Sequence, residues 1–420
     1  MDIAHGFLII AVIILGARLF GEVGARFGVP TVIGEIVAGL VLGPSLLGWV
    51  EPDATLQFLA QGGIIMLLFE VGMDTDIHHM AKTGLKPFIV ANAGVAWPLL
   101  LGFLVSYYVL GMDLLPSLFI GGTLTATSIG ITVRVLSELR QRHTHEAQIV
   151  IGAAVIDDVL GVLVLAFLYH FAESGEMSWL GTAQIALYVF LFMLLAPVFS
   201  KLISFIIDRF ERHSASPGFL LTLAVGHLLL MSYLAHLIGA PEILGAFAAG
   251  LAMGQHFRLH VPEGFAGVPF RSGINQIMDA NPSMAGRLAD QVKPLIHTFA
   301  PIFFVMVGVS MNLREIDWHS LFVWQMSGLL LLVSFVGKFL SGFAVREKRL
   351  GQVAIGLAMI PRGEVGLIFA QLGFSQHIIS STVYAALILV IMFSTLAPPF
   401  LLKAFYSRYG SRLHPAEELP

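Results

Sequence analysis

Along the chain, continuous apolar runs alternate with short polar connections. A helix needs roughly 20 apolar residues to cross the ~30 Å hydrocarbon core of a bilayer. Runs near that length cover 4–21, 30–49, 56–73, 88–110, 116–137, 147–170, 181–205, 218–238, 241–256, 295–311, 319–344, 350–374 and 380–403. Polar residues do not alternate with apolar ones inside them, so they read as helices and not as the strands of a membrane barrel. The pattern predicts an all-α multi-pass membrane protein of about thirteen transmembrane helices.

The connections alternate in charge. Arg18 and Arg26 follow span 1, Lys82 and Lys86 span 3, Arg134, Arg140 and Arg142 span 5, and Lys201, Arg209 and Arg212 span 7. Arg258, Arg271, Arg287 and Lys293 follow span 9, Arg346, Lys348 and Arg349 span 11, and Lys403, Arg408 and Arg412 span 13. The intervening loops are acidic or nearly neutral. Basic loops stay on the cytoplasmic side, which predicts an N-terminus outside and a C-terminus inside a cell (plasma or inner) membrane.

Composition agrees. Charged residues make up 12% of the chain, against about 25% in soluble domains. The net charge of −4 is small and says little about partners, but no basic tract points to nucleic acid, so the expected surroundings are membrane lipids alone. There is no cysteine, hence no disulfide or thiolate metal site. The first run lacks a basic flank and a small-residue cleavage site, so it reads as a retained helix.

Two segment pairs repeat. "PTVIGEIVAGLVLG" (Pro30–Gly43) and "PEILGAFAAGLAMG" (Pro241–Gly254) share Pro30, Gly34, Gly39 and Gly43 with Pro241, Gly245, Gly250 and Gly254. "LLFEVGMDTDI" (Leu67–Ile77) resembles "FFVMVGVSMNL" (Phe303–Leu313). An odd number of spans separates the copies, which predicts an inverted repeat with a transport site between the halves. By the same register span 5 pairs with span 12. Span 5 contains "GGTLTATSIGITV" and span 12 "GLAMIPRGEVGL". Gly and Pro at mid-depth predict two broken helices, and unwound backbone is tolerated there only when buried in protein or lining a cavity.

Charges at depth mark the chemistry. Asp157 and Asp158 sit near the middle of span 6, where each charge costs at least ~2.5–3.5 kcal/mol. Neighbours on a helix point about 100° apart, so one can face an internal partner and the other a cavity. Lys338 of span 11 is the best partner for the pair, although it lies near the "REKR" run and could instead snorkel to the surface. Thr127 and Ser128 of span 5 offer oxygens to a dehydrated cation. A carboxylate accepts either a cation or a proton, and that exclusion is the minimum requirement for exchange. Arg362 and Glu364 stand where span 12 breaks and read as neutralising the opposed half-helix dipoles. Glu35 and Glu70 read as packing or dimer contacts as readily as transport residues, and His227 and His236 read as core histidines.

"GEIVAGLVLGP", "TATSIGITVRVL", "GAAVIDDVLG", "FFVMVG" and "PRGEVG" together resemble the monovalent cation:proton antiporter superfamily, in its NapA- and GerN-like sodium/proton branch, over essentially the whole chain. The resemblance implies a homodimer of thirteen-helix subunits with a scaffold domain, a mobile core domain and an elevator-like movement. It implies Asp158 as the principal ion- and proton-binding carboxylate, with Asp157 paired to Lys338 as in electrogenic members. Thr127 and Ser128 would lie at the crossing of the broken spans. Two features depart from the family pattern. The loop 255–293 is long, with a possible surface helix, and about fifteen residues follow the last span without a phosphate-binding loop, which points away from ligand-gated potassium efflux.

The expected organisation is scaffold helices in 1–80, core helices in 81–175, a linking helix in 176–213, scaffold helices in 214–317, core helices in 318–405 and a tail in 406–420. The expected function is sodium (or lithium)/proton antiport without a cofactor, with potassium/proton exchange as the alternative and a cation channel as a further one. An enzyme is not expected. No span carries a nucleophile–base pair, and an intramembrane aspartyl protease needs its aspartates on two facing helices.

Overall fold

The computed structural model describes residues 3–74, 83–174, 179–211, 218–254 and 282–413. Lys82, Arg212, Arg258 and Arg271 of the basic loops, and segment 255–281, lie outside the described residues. The helices, in chain order, are α1 (Ile3–Arg26), α2 (Thr31–Leu42), α3 (Ala54–Asp74), α4 (Lys86–Leu104), α5 (Leu114–Thr123), α6 (Ile129–Glu138), α7 (His145–Ser174) and α8 (Trp179–Glu211). They continue as α9 (Phe219–Leu237), α10 (Glu242–Met253), α11 (Pro282–Ser310), α12 (Leu321–Ser341), α13 (Arg349–Ala358), α14 (Glu364–Ser375) and α15 (Ser381–Leu413). Among the described residues nine helices are long and apolar enough to span a membrane, and four shorter apolar helices accompany them.

Two of the short ones correct the predicted spans 30–49 and 241–256. α2 and α10 have 12 residues each, about 18 Å at 1.5 Å per residue. Each starts after a proline, Pro30 or Pro241, and each stops at a glycine in extended conformation, Gly43 or Gly254. After Gly43 the chain folds back on the helix end: Leu47 N donates to Val41 O and Trp49 N to Leu42 O, both at 2.9 Å. Gly48 turns this corner with φ 68°, a conformation glycine adopts without steric cost.

Another correction concerns the loop 255–293. Residues from Pro282 onward are the first turns of α11, continuous with span 10. Met284, Ala285, Leu288 and Val292 are buried at helical spacing, so this stretch is held by packing on one face. α15 likewise runs past the predicted end of span 13, to Leu413.

The chain packs as two compact units, residues 1–57, 83–182 and 304–420, and residues 58–82 and 183–303. Within the first, α2 packs on α1 and on the end of α11. A methyl group at Gly34 would overlap the carbonyl of Phe20, one at Gly39 that of Val305, and one at Gly308 that of Ile36. Within the second, α10 packs on α9 and α3. A methyl group at Gly245 would overlap the carbonyl of Met231, one at Gly250 that of Phe69, and one at Gly72 that of Phe247. Every contact in one set maps onto the other at the register of the sequence repeat. The repeated glycines are therefore a packing requirement, set by helix backbones that touch. Gly39→Ala and Gly250→Ala should each lower stability by about 1–3 kcal/mol, the usual cost of overpacking. Thermal melting in detergent would read the loss, and an unchanged midpoint would mean the helices separate at no cost.

Candidate functional site

Span 5 is interrupted between α5 and α6, and span 12 between α13 and α14. In the first break, Thr123 Oγ1 donates to Phe119 O (2.8 Å) and Thr125 Oγ1 to Gly122 O (2.7 Å), and Gly122 O also accepts from Thr125 N at 3.0 Å, so hydroxyl and main chain together close the end of α5. In the second, Pro361 has no N–H to donate and biases Ile360 away from helix.

The two breaks are bonded to each other. Ser128 N donates to Pro361 O at 2.8 Å. Thr127 Oγ1 donates to Met359 O (3.2 Å) and Thr132 Oγ1 to Ala358 O (2.9 Å). Gly363 abuts Ser128 so closely that a Cβ there would sit 2.8 Å from the Ser128 Cβ and Oγ. Ser128 also caps α6, its Oγ accepting from Ile131 N at 3.5 Å.

Asp157 and Asp158 are buried halfway along α7. Both oxygens of Asp157 are engaged: Oδ1 accepts from Lys338 Nζ at 2.9 Å and Oδ2 from Thr127 N at 2.7 Å. Thr127 thus reaches the carboxylate through its main-chain N–H, at the positive N-terminal end of α6, where an anion is favoured. Lys338 is fully buried and does not snorkel. Gly94 of α4 leaves space for its ammonium, since a Cβ there would lie 3.3 Å from Nζ. Asp158 is within electrostatic reach of the same ammonium.

Arg362 is buried at the centre of the crossing. Its guanidinium donates to Ala126 O (2.7 Å) and, through Nε and Nη2, to Ser334 Oγ (3.1 and 2.9 Å). The Arg362 carbonyl accepts from Thr395 Oγ1 at 2.9 Å. Arg362 and Asp157 therefore hold the two sides of one peptide unit in the first break, Arg362 its carbonyl and Asp157 its N–H. Glu364 opens α14.

Sequence reasoning did not single out Ser334, Thr395, Thr132 or Gly94. Ser334 had a readable signal, because it precedes Lys338 by one helical turn on the same face. The others depend on which helices are neighbours. His227 is buried in α9, and neither ring nitrogen has a partner among the described residues. His236 Nδ1 lies 2.8 Å from Glu242 Oε1.

A charged cluster outside the spanning segments ties the helix ends. Glu347 Oε1 accepts from Lys86 Nζ (2.5 Å), at the start of α4, and from His145 Nε2 (3.0 Å), at the start of α7. Burial alone pushes the Glu347 carboxyl up, but these hydrogen bonds and the charges behind them outweigh it and hold the group below the usual carboxylate range. Among the described residues no three His, Asp or Glu side chains gather into a resident metal site. The crossing offers instead a carboxylate pair, dipoles of both signs and buried cations, which suits an ion that comes and goes.

Residues 9–405 match the family described as sodium/hydrogen exchanger, transmembrane. The chain is 31% identical to the high-affinity Na+/H+ antiporter NhaS3 of Synechocystis over 98% of its own length and 92% of that protein. It is 30% identical to the Na+/H+-K+ antiporter GerN of Bacillus cereus, covering 94% and 95% of the two chains. The solved structure of the sodium proton antiporter MjNhaP1 from Methanocaldococcus jannaschii superposes on it with a TM-score of 0.73 at 15% identity, over 100% of both chains, a likeness of fold.

Proposed function

The chain belongs to the sodium/hydrogen exchanger family, and from that membership we propose that it exchanges sodium or lithium for protons at Asp158. Members of this family are transporters and not enzymes, and this chain is a multi-pass membrane protein and a monovalent cation/proton antiporter. The observation that supports the finer reading is the commitment of Asp157. With Lys338 on one oxygen and the Thr127 N–H on the other, it serves as a fixed anchor of the crossing. The exchanging role then falls to the adjacent buried carboxylate, Asp158, which binds a cation or a proton and never both.

In this reading Lys338 balances the charge of Asp157, Thr127 and Ser128 border the ion, and Arg362 with Glu364 supports the crossing. Exchange is electrogenic, with more protons than cations per cycle. One net charge moved across 100 mV is worth ≈2.3 kcal/mol, so the membrane potential as well as the proton gradient drives it. Spans 4–6 and 11–13 (residues 81–175 and 318–405) move as a core against scaffold spans 1–3 and 8–10 (1–80 and 214–317), with span 7 (176–213) linking them. The assembly is a homodimer, with its N-terminus outside and its basic loops in the cytoplasm.

Proteoliposomes test this directly. Sodium or lithium added against a proton gradient should drive protons the opposite way, faster or slower according to whether the membrane potential is free or clamped. Potassium belongs in the same assay because the name of the Bacillus cereus relative includes it. Cation movement without counter-movement of protons would overturn the proposal and leave a channel.

A further inference from the structure

The elbow between α1 and α2 is held by residues that belong to neither helix. α2 begins after Pro30, which supplies no side-chain cap. Its first N–H, that of Thr31, donates instead to Glu138 Oε2 at 3.0 Å, from the last turn of α6. The Thr31 hydroxyl donates to the other oxygen of Glu138. Arg134, one turn earlier on α6, bridges the joint: Nε lies 3.2 Å from Glu138 Oε1, and Nη2 lies 3.4 Å from Thr31 Oγ1 and 3.7 Å from Glu35 Oε1. Glu35 is 2% exposed, and Arg18 of α1 faces it as well. On the same elbow, Lys403 of α15 donates to the carbonyl of Gly28, which turns the chain with φ 73°.

The repeat provides an internal comparison. The α9–α10 elbow has the same glycine turn at Gly239, φ 77°, and the same cap at Pro241. There the first residue of the helix is Glu242, which bonds His236 at 2.8 Å and Gln61 at 3.2 Å. Ala246 stands where Glu35 stands in the other copy. The backbone of the elbow is therefore a property of the repeat, whereas the charged attachment to a broken helix is an addition to one copy. α6 is the helix capped by Ser128, next to the Thr127–Asp157 bond. One end of this rigid ten-residue rod borders the ion site, and the other end grips the elbow.

We propose that Thr31, Glu35, Arg134 and Glu138, with Lys403 on Gly28, form a latch that fastens α6 and α15 to the α1–α2 elbow, and that this latch opens once in each transport cycle. The inference rests on the movement of spans 4–6 and 11–13 against spans 1–3 proposed above. Hydrogen bonds to charged groups are stronger than those between neutral ones, so the latch sets how often the closed arrangement is left.

The chain has no cysteine, so Ala25→Cys on α1 and His143→Cys after α6 supply the only thiols for spin labels. Distances between the labels would be measured by pulsed electron resonance in liposomes, with and without sodium. The otherwise unchanged protein should give two distances. Glu138→Gln and, separately, Lys403→Met should each raise the longer-distance population about tenfold, the factor that ~1.4 kcal/mol of lost bonding produces. Two distances with populations that neither substitution changes would overturn the latch and leave the movement standing. A single distance in every condition would overturn the movement itself, and the latch with it, while ion exchange measured on the same liposomes would remain.

Discussion

Asp158→Asn should abolish cation-coupled proton movement and leave the protein folded. Asparagine keeps the size of the aspartate and can still accept a hydrogen bond, but it carries no charge and takes up no proton in any accessible range. Both halves of the exchange are lost together, so flux in proteoliposomes should fall to the level of empty vesicles for sodium, lithium and potassium alike. Stability should not fall in parallel. Replacing a buried ionised group by a neutral one of the same shape removes a desolvation penalty, and the melting temperature should hold or rise. The two readouts together separate loss of mechanism from loss of fold. Retained exchange in a folded Asp158→Asn protein would transfer the ion-carrying role to another group.

The second large effect concerns the buried pair. Asp157 and Lys338 are both fully buried, 2.9 Å apart. Lys338→Gln strands a carboxylate whose remaining fixed partners are the Thr127 N–H and the nearby Arg362 charge. Asp157→Asn takes the hydrogen-bonded carboxylate away from an ammonium that lies near Arg362, a like charge, and leaves it the weaker attraction of Asp158. Removing one partner of a buried pair costs about 3–5 kcal/mol, whereas replacing both by neutral groups is often nearly neutral. Asp157→Asn combined with Lys338→Gln should therefore be more stable than either single variant. The coupling in a double-mutant cycle should exceed the ~0.5 kcal/mol within which independent sites add. Additive losses in thermal stability would show that the two groups do not depend on each other. Lys338→Gln should also change the dependence of transport on membrane potential, because it removes a positive charge within electrostatic reach of Asp158.

The readable part of the site was the part set by local backbone chemistry and by the cost of charge. Pro361 and Gly363 stand in the break of span 12, and the Gly- and Thr-rich stretch of span 5 contains the other break, although Gly121 and Gly122 themselves stay helical in α5. Two aspartates in an apolar helix announce themselves because nothing in lipid would compensate them. The manner of their compensation was not readable. Thr127 was singled out for its hydroxyl, and it is the main-chain N–H that meets Asp157 while the hydroxyl bonds Met359. Main-chain donors carry no sequence signal, since every residue but proline has one.

The sequence by itself determined the membrane class, the repeat and the positions of the breaks. Bilayer thickness, glycine spacing and proline chemistry act on short windows of chain. Only the tertiary structure decided that α2 and α10 stop at 12 residues, that α11 reaches back to Pro282, and that Glu138 caps a helix that begins at Thr31. Each of those outcomes depends on a surface brought from a distant part of the chain. An apolar run shows only that a segment must be buried. The carbonyl, carboxylate or helix face that buries it is selected by packing, and residues far apart in sequence become neighbours only after the helices have assembled.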